Sequence, residues 1–223
     1  MARKVFVFDL DDTLTKEIDF LKSGYHAVSE LVSKRFGLDA GKVYRELYDW
    51  YRAGENTFAC LNESYGLDNP IGDYLNVYRF HTPDIHLAQD VIDALNVLRD
   101  AGIELGIVSD GRDITQKNKF DALGLAEWFD ESCFLINSNQ QLFKPNPYGY
   151  ERLMLAMYKK TGASDLEFTY IADNPEKDFL WPNSHGWSTV CLLDDGRNIH
   201  KQNFNLPQEY LPMEKIKQLG KLI

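Results

Sequence analysis

The apolar run Val5-Phe6-Val7-Phe8 stops abruptly at Asp9, and Asp11, Asp12 and Thr13 follow. A buried strand that empties into carboxylates commits the chain to a sheet with negative charge at its carboxyl edge. Open α/β folds place their ligands at that edge. Strands are predicted over residues 4–10, 103–109, 132–136, 168–172 and 188–193. Helical patterns separate most of them. Val91, Leu95 and Leu98 recur at helix spacing before Gly102, and Ile114, Lys117, Phe120 and Leu123 form one stripe before Gly124. Tyr150, Leu153, Met154 and Met157 form another, closed by Gly162. Strands alternating with helices predict a Rossmann-like α/β fold, a parallel five-stranded sheet with helices on both faces.

Residues 17–81 break this rhythm. Tyr25, Val28, Val32 and Phe36 make one helical stripe, and Val43, Leu47, Trp50 and Tyr51 make a second after a capping Asp39. Phe58, Leu61 and Tyr65 lead to Gly66, and Ile71, Tyr74, Leu75 and Tyr78 follow Pro70. Four helices without a strand predict an all-helical insert (17–81) after the first strand of an α/β core domain (1–16 and 82–223). The aromatic residues of the insert are expected to pack its own core. Beyond residue 201 an irregular segment and a short helix are expected, with Ile216, Leu219 and Leu222 turned inward.

Hydrophobic residues make up 44% of the chain and charged residues 26%, ordinary values for a globular protein with a real core. The 34 acidic side chains against 24 basic give a net charge of −10, which argues against a broad nucleic-acid footprint or an anionic membrane surface. No apolar run reaches membrane-spanning length, and the expected location is cytoplasmic. Cys60, Cys133 and Cys191 lack metal-site spacing and read as small core residues. Such an acidic protein can handle an anionic ligand only through a metal or a few well-placed cations.

Four motifs at strand ends carry the chemistry. Residues two apart in a strand share a side, so Asp9 and Asp11 leave the first strand together. Two carboxylates that close split their protonation. With one held by a metal and the other carrying a proton, they supply a nucleophile and a general acid. Ser109 ends the second strand, where its hydroxyl and the Asp110 and Gly111 amides can grip phosphate oxygens. Lys144 enters a Pro-Asn-Pro turn that fixes its ammonium. Asp173 ends the strand over 168–172 and Asp178 follows in the next loop, hard oxygen ligands suited to magnesium.

In this order the motifs resemble those of the haloacid dehalogenase-like hydrolases, and the resemblance covers nearly the whole chain. Asp9, Asp11 and Thr13 look like that family's first motif, Ser109 its second, Lys144 its third, and Asp173 with Asp178 its fourth. The helical insert is similar to the family's cap. The resemblance implies that Asp9 attacks phosphorus to form an aspartyl-phosphate and that Asp11 protonates the leaving alkoxide, then deprotonates water. It further implies that Thr13 orients Asp11 or the phosphate, that Ser109 and Lys144 bind phosphate oxygens, and that Asp9, the Asp11 carbonyl and Asp173 hold Mg2+. Asp178 is then a ligand or a support for Lys144. Ala172 stands where many relatives have glycine, and Asp12 where related mutases often have it. FDLDDTL with a helical cap is most similar to nucleotidase and N-acylneuraminate-phosphatase members.

The expected reaction is magnesium-dependent hydrolysis of a small phosphate monoester, a sugar phosphate or a nucleoside monophosphate. A sugar-phosphate mutase and a non-catalytic phosphate-binding protein are the alternatives. Arg52, Arg79 and His81 in the insert, and Arg112 beyond Ser109, are candidate substrate contacts.

Overall fold

The computed structural model describes residues 2–222. They form two compact units, one running up to Glu17 and resuming at His86, the other spanning Ile18–Ile85.

The first unit begins with β1 (Arg3–Phe8), so the opening strand ends one residue before Asp9. Four helices follow, α1 (Glu17–Phe36), α2 (Ala40–Arg52), α3 (Thr57–Tyr65) and α4 (Ile71–Phe80). Then come α5 (Gln89–Asp100), β2 (Glu104–Asp110), α6 (Asp113–Ala122) and β3 (Phe134–Asn137). The chain continues through α7 (Tyr148–Thr161), β4 (Leu166–Ala172), the short α8 (Leu180–Ser184), β5 (Ser188–Leu192) and β6 (Glu214–Ile216).

The sheet is parallel throughout, in the order β3-β2-β1-β4-β5-β6. It has six strands, not five. The tail, expected to be irregular and then helical, pairs Glu214–Ile216 with Val190–Leu192 and ends in a 3-10 turn at Leu219–Lys221. Ile216 and Leu219 are buried as expected, but a three-residue strand is too short to show a period in sequence.

Alternation along β1 splits its side chains between two faces. Val5 and Val7 join the core built with Tyr150, Leu153 and Met157 of α7. On the other face Phe8 meets Phe129 edge-on at 6.0 Å. The central position of β1 places its carboxyl end between those of β2 and β4, where the order of connection reverses.

The helical unit has its own core of Tyr25, Val28, Val32, Val43, Leu47, Leu61 and Tyr74, all buried. Asp39 caps α2 by accepting from the Lys42 amide at 2.6 Å, as its position in sequence predicts. Phe58 and Tyr78 ring the Tyr25 side chain, so the aromatic residues serve packing within this unit.

Candidate active site

Beyond Asp9 the backbone folds into a tight turn. Leu14 and Thr15 donate to the Leu10 carbonyl, and Asp12 adopts φ +57°. The Asp12 carboxylate accepts from the Glu17 amide at 3.0 Å and the Ile199 amide at 3.2 Å. It fastens the turn and leaves Asp9, Asp11 and Thr13 as the groups the turn presents.

Asp9 is 2% exposed. Its Oδ1 accepts from the Leu10 amide at 2.8 Å and pairs with Lys144 Nζ at 2.9 Å. Burial raises its pKa to about 6, against the opposing charge of Lys144. Asp173 and Asp178 stand beside it. One carboxylate oxygen from each of the three lies within 4.8 Å of the others, and all three side chains are buried. Burial, reinforced by the charges of Asp178 and Asp9, pushes Asp173 up to about 8. Three carboxylates against the one buried ammonium of Lys144 leave two negative charges when all ionise. A divalent cation balances them, and hard oxygen donors suit magnesium.

Lys144 is completely buried, with its Nζ 2.8 Å from Asp178 Oδ1 and 2.9 Å from Asp9 Oδ1. It also donates toward the Tyr170 hydroxyl at 3.0 Å and the Val108 carbonyl at 3.4 Å. Four acceptors for three N–H groups saturate it. Burial lowers its pKa, but Asp178 and Asp9 together lift it well above the ordinary lysine value. Asp110 holds the start of this loop by accepting from the Lys144 amide at 3.2 Å and from Asn137 Nδ2 at 2.8 Å.

The sequence reading assigned phosphate contacts to the Asp110 and Gly111 amides. The Gly111 amide is instead spent on the Asn137 carbonyl at 3.0 Å. Gly111 has another use: its φ is +145°, and a Cβ there would lie 2.8 Å from Gln116 Nε2. Among the described residues, Thr13 Oγ1 and Ser109 Oγ find no hydrogen-bond partner, and both are buried. Buried hydroxyls left unpaired cost stability unless a ligand completes them.

Asp11 is held by α6. Lys119 Nζ donates to its Oδ1 at 2.6 Å and Gln116 Nε2 to its Oδ2 at 2.8 Å. Burial works against its ionised form, but the Lys119 charge and these hydrogen bonds outweigh it and hold its pKa low. With no metal bound, Asp9 is therefore the weaker acid and Asp11 the stronger.

Sequence reasoning missed Gln116, Lys119, Asn198 and Lys177. Gln116 and Lys119 are each 2% exposed, while Ile114, placed on the apolar stripe of α6, is 40% exposed. Asn198 accepts from Lys16 Nζ at 2.7 Å and donates to Asp173 Oδ2 at 2.9 Å. Lys177 lies in the turn between Asp173 and Asp178, which the Asn174 carbonyl closes by accepting from both the Lys177 and Asp178 amides.

Of the candidate substrate residues, Arg112 is exposed at the start of α6. Arg52 is exposed at the end of α2, and Arg79 lies in the last turn of α4. His81 ends α4, its ring nitrogens 2.8 Å from the Tyr78 carbonyl and 3.0 Å from Ser23 Oγ. Burial draws its pKa down, and its ring packs on Phe20. Both its polar atoms are thus engaged inside the helical unit.

A family model described as haloacid dehalogenase-like hydrolase matches residues 3–178. The chain belongs to that family. A protein of Methanopyrus kandleri named glyceraldehyde 3-phosphate phosphatase is 27% identical over 200 residues, covering 85% of this chain and 83% of that one. Among solved structures, the HAD phosphatase of Thermococcus onnurineus superposes with a TM-score of 0.59 at 20% identity, covering 98% of this chain and 95% of its own. The putative HAD-hydrolase YfnB of Bacillus subtilis, bound to magnesium, superposes at 0.60 with 16% identity, covering 100% and 97%. Among the described residues, no helix is long and apolar enough to cross a membrane.

Proposed function

We propose that this hydrolase is a magnesium-dependent phosphatase that cleaves a small sugar phosphate through an aspartyl-phosphate on Asp9. The observation that carries the reading is the setting of Asp9. Its Oδ1 is fixed by the Leu10 amide and Lys144, and neither bond uses Oδ2. Oδ2 attacks phosphorus as the ester P–O bond breaks, and the leaving alkoxide takes a proton from Asp11. Water then attacks the phosphoryl group, gives its proton to Asp11 and returns Asp9 as a carboxylate. Thr13 and Ser109 offer their unpaired hydroxyls to phosphoryl oxygens. Asp9, Asp173 and Asp178 are the side chains proposed to hold Mg2+, with the Asp11 carbonyl as a further ligand. When bound, the metal supplies positive charge for the phosphoryl oxygens.

Asp11 as found is set for the base step. To act as acid it must take a proton onto an oxygen that now accepts from Lys119 or Gln116. Relatives named glyceraldehyde 3-phosphate phosphatase favour a sugar phosphate, a triose phosphate among them, over a nucleoside monophosphate. A phosphate-release screen with and without Mg2+, across triose, pentose and hexose phosphates and nucleoside monophosphates, tests the assignment. Release from sugar phosphates is expected, together with loss of at least ~10³-fold in Asp9→Asn. Full activity in that variant would rule out the covalent route, and transfer within one sugar without free phosphate would reassign the chain as a mutase.

A further inference from the structure

The cation expected to bind phosphate, Lys144, is already saturated by two carboxylates, a phenol and a carbonyl. It can reach a phosphoryl oxygen only by releasing one of them. Among the described residues, the site therefore has two buried hydroxyls without partners, three clustered carboxylates and no uncommitted donor on Lys144. A dianionic ligand brought to this edge needs positive charge from elsewhere.

Lys177 supplies it. Its backbone sits in the turn between two proposed metal-binding residues, Asp173 and Asp178. Its side chain is 36% exposed, and its one ion pair, with Asp110 Oδ2, spans 4.0 Å, too long for a hydrogen bond. Among the described residues, no hydrogen bond ties its ammonium. Yet its charge is felt by Asp9, Asp11 and Asp173, which come from two separate strand ends. Its ammonium lies 4.0 Å from the Asp110 carboxylate, which follows Ser109 directly and holds the Lys144 amide at 3.2 Å, so its N–H donors are available at that strand end. Lys144 is thus a buried cation that organises carboxylates, and Lys177 a partly exposed one.

We propose that Lys177 is a direct phosphoryl-binding residue, closing on oxygens of the group whose other contacts are the Thr13 and Ser109 hydroxyls. This deepens the phosphatase reading and rests on it for turnover, though not for anion binding. The test is calorimetric titration of inorganic phosphate into the magnesium-loaded full chain, comparing wild type, Lys177→Met, Lys177→Gln and Lys177→Arg. KM and kcat for the ester found by the screen are measured alongside.

Loss of a charged hydrogen-bond donor is expected to weaken phosphate binding by about tenfold or more in the Met and Gln variants. KM should rise by a similar factor, unfolding temperature should be kept, and Arg should recover most of the affinity. A purely structural lysine would leave phosphate affinity unchanged in folded variants. Affinity within about twofold of wild type in both neutral variants, or no phosphate binding by wild type, overturns the proposal. A wild type that hydrolyses no ester, with phosphate binding still dependent on Lys177, removes the phosphatase reading and keeps this assignment.

Discussion

Lys119 Nζ lies 2.6 Å from Asp11 Oδ1, with the lysine side chain 3% exposed and the aspartate 18%. The pair joins α6 to the turn after β1 and fixes which of the two strand-end carboxylates is the stronger acid. Removing one partner of such a pair leaves a poorly solvated charge, on the order of 3 kcal/mol for well-buried cases.

Lys119→Met is expected to raise the Asp11 pKa and move the acidic limb of the kcat profile to higher pH, because the base step needs the ionised carboxylate. Lys119→Arg should keep the limb near its original place. Steady-state rates measured across the acidic range check this, and an unmoved limb in a folded Met variant would separate Lys119 from Asp11 chemistry.

Without metal, Asp9 and Asp173 carry pKa values of about 6 and about 8, both above the ordinary 3.8. The folded state then binds more protons than the unfolded chain, so the stability these groups contribute is full below pH ~4 and fades as pH rises through ~8. Scanning calorimetry in chelator should show the melting temperature falling between pH 5 and 9. Magnesium should flatten that slope.

Gly111→Ala places a Cβ in a backbone conformation that side chains rarely adopt and 2.8 Å from Gln116 Nε2. The strain is about 1–3 kcal/mol. The variant should unfold at lower denaturant and also lose the Gln116 bond to Asp11, which lowers kcat more than it raises KM.

Asn198→Ala removes the amide that bridges Lys16 and Asp173. Partners of metal-binding carboxylates typically contribute 10–100-fold to metal affinity, and a loss of about that size is expected in a magnesium titration. Activity at saturating magnesium should largely return.

The alternating strands, the four-helix insert and the acidic strand ends were legible because each is written locally, in period, caps and abrupt polarity changes. For that reason the stripe of Tyr150, Leu153, Met154 and Met157 lies on one helix, Tyr148–Thr161, capped by Gly162 as predicted. The groups that escaped notice are fixed by distant partners. Gln116 and Lys119 break the apolar stripe of α6 because a carboxylate more than a hundred positions earlier lies against them. Asn198 sits in a loop with no local pattern and acquires its role only when Lys16 and Asp173 converge on it. Lys177 resembles any solvated lysine until the turn that carries it is placed beside β1.

The sheet order carries a consequence for biosynthesis. β1 is the first strand to be made, yet its neighbours are β2, nearly a hundred residues later, and β4, which starts at Leu166. As the chain leaves the ribosome, the helical unit can settle on local contacts while β1 waits with both edges open. Asn198 is made later still. Nascent chains ending before it can hold helices and part of a sheet but lack the Asn198 tie to Asp173, so tight magnesium binding is expected only once that loop has been made.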